Sequence, residues 1–160
     1  MRKALCLAMV IAAAAFASMD GFGVGVIVGN PTGLSFKTWL GAASALDLAA
    51  AWSLDEDESF HLHADYLRHA FGIIQLDPGE GRLPLYYGLG GRMVILDRNN
   101  ENAAGEGDDD FLLGVRIPLG AAYLFEEAPV EIFLEVVPVV ELVPDTDLDM
   151  DAALGARVYL

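Results

Sequence analysis

Residues 61–65 read His-Leu-His-Ala-Asp, and the two-residue period of an extended chain puts His61, His63 and Asp65 on one face. Two imidazoles and a carboxylate in this arrangement are the donor types of a zinc-type site. A His beside a Ser or an Asp is also the beginning of an activated nucleophile. A closed metal site needs a further ligand from another strand, and the sequence names none. Ser35, Ser44 and Ser53 are available, but nothing around them marks a nucleophile. The preferred reading is that the three side chains share a hydrogen-bond network with arginines, so no catalytic residue, metal ligand or cofactor is assigned.

A second run, Asp145, Asp147, Asp149 and Asp151, resembles the front of a calcium loop. Met150 stands where a Gly turn would be needed, and no Glu follows at the required distance. These aspartates therefore read as the start of the last strand, at the mouth of whatever the strands enclose. GVG at 23–25 and GLGG at 88–91 lie within strands and precede no helix, which rejects a nucleotide-binding loop.

The elements that carry these residues alternate with a period of two from Gly21 onward, with no convincing amphipathic helix between them. Eight strands are expected, at about 21–29, 32–40, 44–54, 59–76, 83–96, 110–125, 129–142 and 148–160. The fourth is long and its alternation blurs after Leu67, which predicts a bulge near 68–72. Neither an internal repeat nor a second domain is indicated. One end of the molecule collects acid: Asp55, Glu56, Asp57, Glu58, Asp97, Glu101, Glu106, Asp108, Asp109, Asp110, Asp145 and Asp147 all fall in alternate connections.

Sorting the strands by parity separates two faces. One carries Phe22, Val26, Leu34, Leu48, Leu62, Leu89, Leu113, Leu119, Leu154 and Val158, with hardly a charge among them. The other carries Lys37, Asp47, His61, His63, Asp65, Arg92, Arg116, Glu131, Glu135 and Arg157, together with Ser35, Tyr86 and many glycines. With the histidines neutral, Lys37, Arg92, Arg116 and Arg157 stand against Asp47, Asp65, Glu131 and Glu135. Such a balance suits a closed interior, where an unpaired charge costs several kcal/mol. The surplus acid is left to the loops.

In residues 130–142, VEIFLEVVPVVEL, this sorting sends Glu131 and Glu135 inward, as partners for Arg92, Arg116 or Arg157, and leaves Glu141 at the rim. Eight strands also close into a barrel whose interior side chains just fill, with the glycines leaving room for larger neighbours. Trp52, Tyr66, Tyr87, Tyr123 and Phe125 lie nearer strand ends, where interface girdles form.

Composition agrees. The chain has 160 residues, 54% of them hydrophobic, a mean hydropathy of +0.42 and a net charge of −15. Charged residues interrupt every apolar run after the N-terminus, which excludes a membrane-spanning helix. Met1-Arg2-Lys3, the apolar stretch 4–16 and Ala15-Phe16-Ala17 read as a secretory signal peptide over residues 1–17, leaving 18–160 as one barrel domain. Its removal takes the net charge to −17, which argues against a nucleic-acid partner. The single cysteine, Cys6, leaves with the signal and is not placed for lipidation.

GVGVIVGNPTGLSFKTWL, LHADYL, LPLYYGLGGR, IFLEVVPVVEL and ALGARVYL together resemble the small eight-stranded bacterial outer-membrane barrels, the group of outer membrane protein X and the transmembrane domain of outer membrane protein A. The likeness spans essentially the whole chain after residue 17. It implies an all-β, antiparallel, up-and-down transmembrane β-barrel in the bacterial outer membrane, with periplasmic termini and acidic loops outside. It also implies outer-membrane lipid, lipopolysaccharide and the barrel-insertion machinery as partners, the last reading an alternating final strand. Leu154, Ala156, Val158 and Leu160 alternate and Tyr159 is aromatic, although the chain ends on Leu where such barrels commonly end on Phe.

The expected role is non-catalytic, structural or surface-interacting, with a plugged polar lumen and an acidic rim able to meet divalent cations or a surface partner. Two alternatives remain. One is a lipid-modifying enzyme using His61, His63 and Asp65; the other is a soluble lipocalin-like periplasmic carrier, which needs the apolar face to line the cavity.

Overall fold

The computed structural model describes residues 21–53, 58–97 and 110–160; the expected signal peptide and the acidic segments 54–57 and 98–109 fall outside them. Among the described residues every regular element is a strand. They are β1 (Phe22–Gly29), β2 (Gly33–Trp39), β3 (Ser44–Ser53), β4 (Glu58–Ala70), β5 (Leu85–Asp97), β6 (Asp110–Arg116), β7 (Leu119–Leu124), β8 (Val130–Val143) and β9 (Asp147–Tyr159).

β1 to β5 pair antiparallel in sequence order, as do β8 and β9, and β1 pairs with β9, Gly23 opposite Tyr159 through Gly29 opposite Ala153. The sheet is thereby closed and no strand is left with an open edge. β6 and β7 occupy one position in this ring, both lying between β5 and β8. The architecture is an eight-stranded antiparallel barrel built from nine strand segments.

The split of the expected strand 110–125 falls at Ile117-Pro118. Proline has no N–H to donate to the ladder. The chain bridges the gap with single bonds on either side, Gly88 N to the Pro118 carbonyl at 2.9 Å and Ile117 N to the Pro138 carbonyl at 3.0 Å. Parity survives the break: Arg116, Pro118, Ala122 and Leu124 are buried, while Ile117 and Leu119 are exposed.

The fourth strand is shorter than its alternation suggested. Its register with β5 runs without a shift from Glu58 opposite Asp97 to Ala70 opposite Leu85, so there is no bulge near 68–72. Pairing with β4 stops there, and Pro84, immediately before β5, turns its carbonyl to β7 instead, accepting from Ala122 N at 3.0 Å. The irregularity lies elsewhere, where Leu113 pairs with Val143 and Gly114 with Glu141, so Leu142 is the extra residue.

The inside of the ring holds a small apolar cluster, Ile27, Ala49, Leu67, Tyr86, Ala122, Phe133 and Ala153, alongside the buried charges. The outside is apolar and exposed: Val26, Leu34, Leu48, Leu62, Leu89, Leu119, Leu134 and Leu154 all face away from the barrel. Outward aromatics gather toward the two ends. Trp52 and Phe60 are cross-strand neighbours, as are Ile95 and Phe111, near one end. Phe22 stacks on Phe36 with centroids 5.9 Å apart, and Tyr123 meets Phe125 edge-on at 4.7 Å, near the other.

The inward glycines are slots for neighbouring side chains. Tyr86 lies across Gly120, its cross-strand partner, and so reaches Glu135 on the strand beyond; a Cβ on Gly120 would collide with the Tyr86 ring. Asp65 crosses Gly90 in the same way to reach Arg116. The outward Gly91, by contrast, would meet only the Gly114 carbonyl at 3.7 Å. Gly120→Ala is therefore expected to destabilise the barrel by about 1–3 kcal/mol, the usual cost of overpacking. Gly91→Ala should change little, as measured by denaturant unfolding in detergent.

Candidate functional site

The inward charges form a ladder along the barrel axis, built by strands that place one residue at each level. At the end nearest the β8–β9 connection, Arg92 of β5 donates to three carboxylates. These are Glu141, Asp149 at 2.8 Å and Asp151 at 3.0 Å. Asp151 also accepts from Asn30 Nδ2 at 3.0 Å and, through the oxygen that holds Arg92, from Arg116 Nη1 at 3.2 Å. Asp151 is 1% exposed and joins two arginines that β5 and β6 set at different heights.

The next level belongs to Arg116. Its Nε donates to Asp65 at 3.2 Å, and its Nη2 lies 3.6 Å from Glu135, which accepts from the Tyr86 hydroxyl at 3.0 Å. The level beyond centres on Arg157 of β9. It donates to Glu131 at 2.7 Å, to Asp47 at 2.5 Å and to the Ser35 hydroxyl at 2.9 Å, with its guanidinium 3.8 Å from the centroid of Phe133. Glu131 further accepts from Lys37 Nζ at 3.0 and 3.1 Å and from the Tyr159 hydroxyl at 2.6 Å. Its two oxygens thus take four bonds, three of them from cationic donors, in a site 0% exposed.

The ladder ends in aromatic rings. Lys37 Nζ lies 2.9 Å from His69 Nε2 and, having no lone pair, must be the donor. It also sits 4.6 Å over Trp39, whose centroid is 4.5 Å from that of His69. Phe71 follows at 6.1 Å from both rings, and Arg82 caps it at 5.2 Å.

Of the residues singled out in the sequence, Lys37, Asp47, His63, Asp65, Arg92, Arg116, Glu131, Glu135 and Arg157 are buried inside the ring, and His61 is half-buried. The expected partners need correction. Arg157 and Arg116 take Glu131 and Glu135, but Arg92 pairs with neither. Its partners include Glu141, which is not a free rim residue.

The four-to-four balance is also revised. Asp151 adds a fifth buried carboxylate, and Glu141 and Asp149 share Arg92 with it. The parity that puts Gly155 and Arg157 inward applies equally to Asp151, so the signal was present in the spacing. Grouping Asp151 with Asp145, Asp147 and Asp149 at the mouth left it out of the count. His69 was hidden by the bulge expected at 68–72; its odd number places it with His61, His63 and Asp65.

His61, His63 and Asp65 do not converge. His63 Nε2 is 3.9 Å from the Asp65 oxygen that Arg116 holds, and His61 turns to Ser59, with Oγ and Nε2 3.1 Å apart. No described carboxylate bonds the other nitrogen of His61. Among the described residues no group of three or more His, Cys, Asp or Glu side chains is placed to hold a metal ion.

Removing one member of a buried pair costs about 3–5 kcal/mol, because the remaining charge is stranded. Glu131→Ala and Asp151→Ala are therefore expected to lower unfolding free energy by about that amount, against about 1 kcal/mol for the outward Val136→Ala. Equal losses in denaturant titrations would contradict the inward assignment.

No protein-family model and no curated protein matches the chain. Among solved structures, the fold is similar to the N-terminal β-barrel domain of Pseudomonas aeruginosa OprF, with a TM-score of 0.55, 18% sequence identity, and coverage of 87% of this chain and 95% of that one. The chain shares with that domain the fold of a β-barrel.

Proposed function

We propose that this chain is a non-catalytic outer-membrane barrel whose lumen is plugged by its own ion pairs, with a structural or surface-interaction role. Residues 1–17 act as its export signal, and its acidic loops face outward from the cell. The observation that carries the reading is the reversed distribution of side chains: Arg116, Lys37, Glu131 and Asp151 are enclosed, while Leu89, Leu134, Leu154 and Val28 are more than half exposed. In water such an exterior would aggregate. In hydrocarbon it is the required surface, and ring closure leaves no unpaired backbone edge.

A lumen crossed at successive levels by Arg92, Arg116 and Arg157 with their carboxylates leaves no room for general diffusion, in keeping with the size of eight-stranded barrels. The acidic rim and the loops beyond it suit divalent cations, lipopolysaccharide or a cell-surface partner. Insertion would use the alternating β9, whose Tyr159 is committed inward to Glu131.

The two alternatives meet specific obstacles. A lipocalin-like carrier needs apolar side chains lining the cavity, and this cavity is lined by charge. An enzyme has one structural foothold, the Ser59–His61 contact, yet among the described residues no acid orients that ring as a nucleophile's base requires.

The exported chain is expected to stay in carbonate-washed outer membranes and to migrate faster on gels before heating than after. Release into the soluble periplasm would refute the membrane reading. A fluorophosphonate probe is expected to leave Ser59 unlabelled; labelling that Ser59→Ala and His61→Ala both abolish would favour the enzyme.

A further inference from the structure

Small residues stand singly on the outward face at Ala50, Ala121, Ala152 and Ala156, each between larger cross-strand neighbours, but in one place two are adjacent. At mid-height Ala64 of β4 and Gly91 of β5 are cross-strand neighbours, flanked by Leu48 on β3 and Val115 on β6. Two adjacent positions of the belt thus carry almost no side chain. Leu62, Met93 and Leu113, successive cross-strand neighbours one step along the strands, form the wall on the side of the β8–β9 connection. Leu142, the extra residue of the bulge, extends that wall. The result is a shallow groove of about 500 Å³ with an apolar floor and walls.

We infer that this groove seats one acyl chain of a membrane lipid, a docking site that rests on the outer-membrane reading proposed above. Three features favour a lipid chain over a second copy of the protein. The groove is continuous on all sides with the exposed apolar belt, so its contents are supplied by whatever solvates that belt. His63 and Arg92 also border it, but both are buried at inward positions and leave no polar group outside to specify a protein surface. Its floor is only two strand positions wide, Ala64 and Gly91 between Leu48 and Val115, which admits a slender apolar group and not a folded surface.

An unfilled groove would forfeit the dispersion contacts of Leu48, Leu62, Met93 and Leu113 on their open side. A chain lying along Ala64 and Gly91 restores them. It does so at the cost of its own conformational freedom, so this position is ordered where chains against the smooth belt are not.

The test places the full mature chain in phosphatidylcholine vesicles doped with a phospholipid carrying a photoactivatable diazirine at mid-chain, and maps the labelled residues by mass spectrometry. A several-fold excess of label on Met93 and Leu113 over Leu134 and Leu154 is expected, all four facing outward. Gly91→Leu, or Ala64→Leu should the first fail to fold, is expected to remove that excess while heat-modifiable mobility is kept. Even labelling of all four residues in the unaltered protein, or an excess that survives both fillings, would overturn the groove while leaving the membrane reading intact. Absence of label from every outward residue would sink both.

Discussion

A guanidinium enclosed by a ring of strands has no water to solvate it, and this constraint governs much of the barrel. Leaving one such charge unpaired costs several kcal/mol, comparable to a large part of a domain's net stability. The chain meets the demand by giving every inward cation at least one carboxylate and by sharing carboxylates between cations. Asp151 holds Arg92 and Arg116, and Glu131 holds Arg157 and Lys37. These shared anions tie β5, β6, β8 and β9 to one another, and β2 joins through Lys37. A slip of register by one residue in any of them would turn its charges outward and its leucines inward.

The same constraint explains the glycines. Side chains as large as Arg and Tyr need room beside them, so Tyr86, Arg92 and Arg116 each have a glycine as one cross-strand neighbour, Gly120, Gly114 and Gly90. Tyr86 over Gly120 and Asp65 over Gly90 let a residue on one strand bond to a residue two strands away. Each such bond spans an intervening strand and reinforces the ladder at right angles to the strands. The exterior is free of this requirement, and a missing side chain at Gly91 opens a groove instead of a slot.

Much of this was legible in the alternation of the sequence, because a period of two assigns each residue to a face independently of where a strand ends. Lys37, Glu131, Glu135 and Arg157 could be placed inside from spacing alone. What spacing does not carry is height along the axis, and so the partner of each charge: Arg92 lies at the level of Glu141 and Asp149, not of Glu131. Proline was the other blind spot. Pro118 leaves side-chain parity intact while removing a backbone donor, so the interruption between β6 and β7 does not register in the hydrophobic pattern. Asp151 shows the opposite failure: its parity matches that of Gly155 and Arg157, yet its place in a run of aspartates set it at the mouth and not among the enclosed charges.

The central claim is the direction in which the two faces point, and β8 tests it most directly. Nitroxide labels placed singly at positions 131 to 136, in a background with Cys6 replaced, report collision with oxygen dissolved in the bilayer. The account predicts a period of two with maxima at 132, 134 and 136 and minima at 131, 133 and 135. Maxima at the odd positions, or uniform collision along the strand, would contradict it.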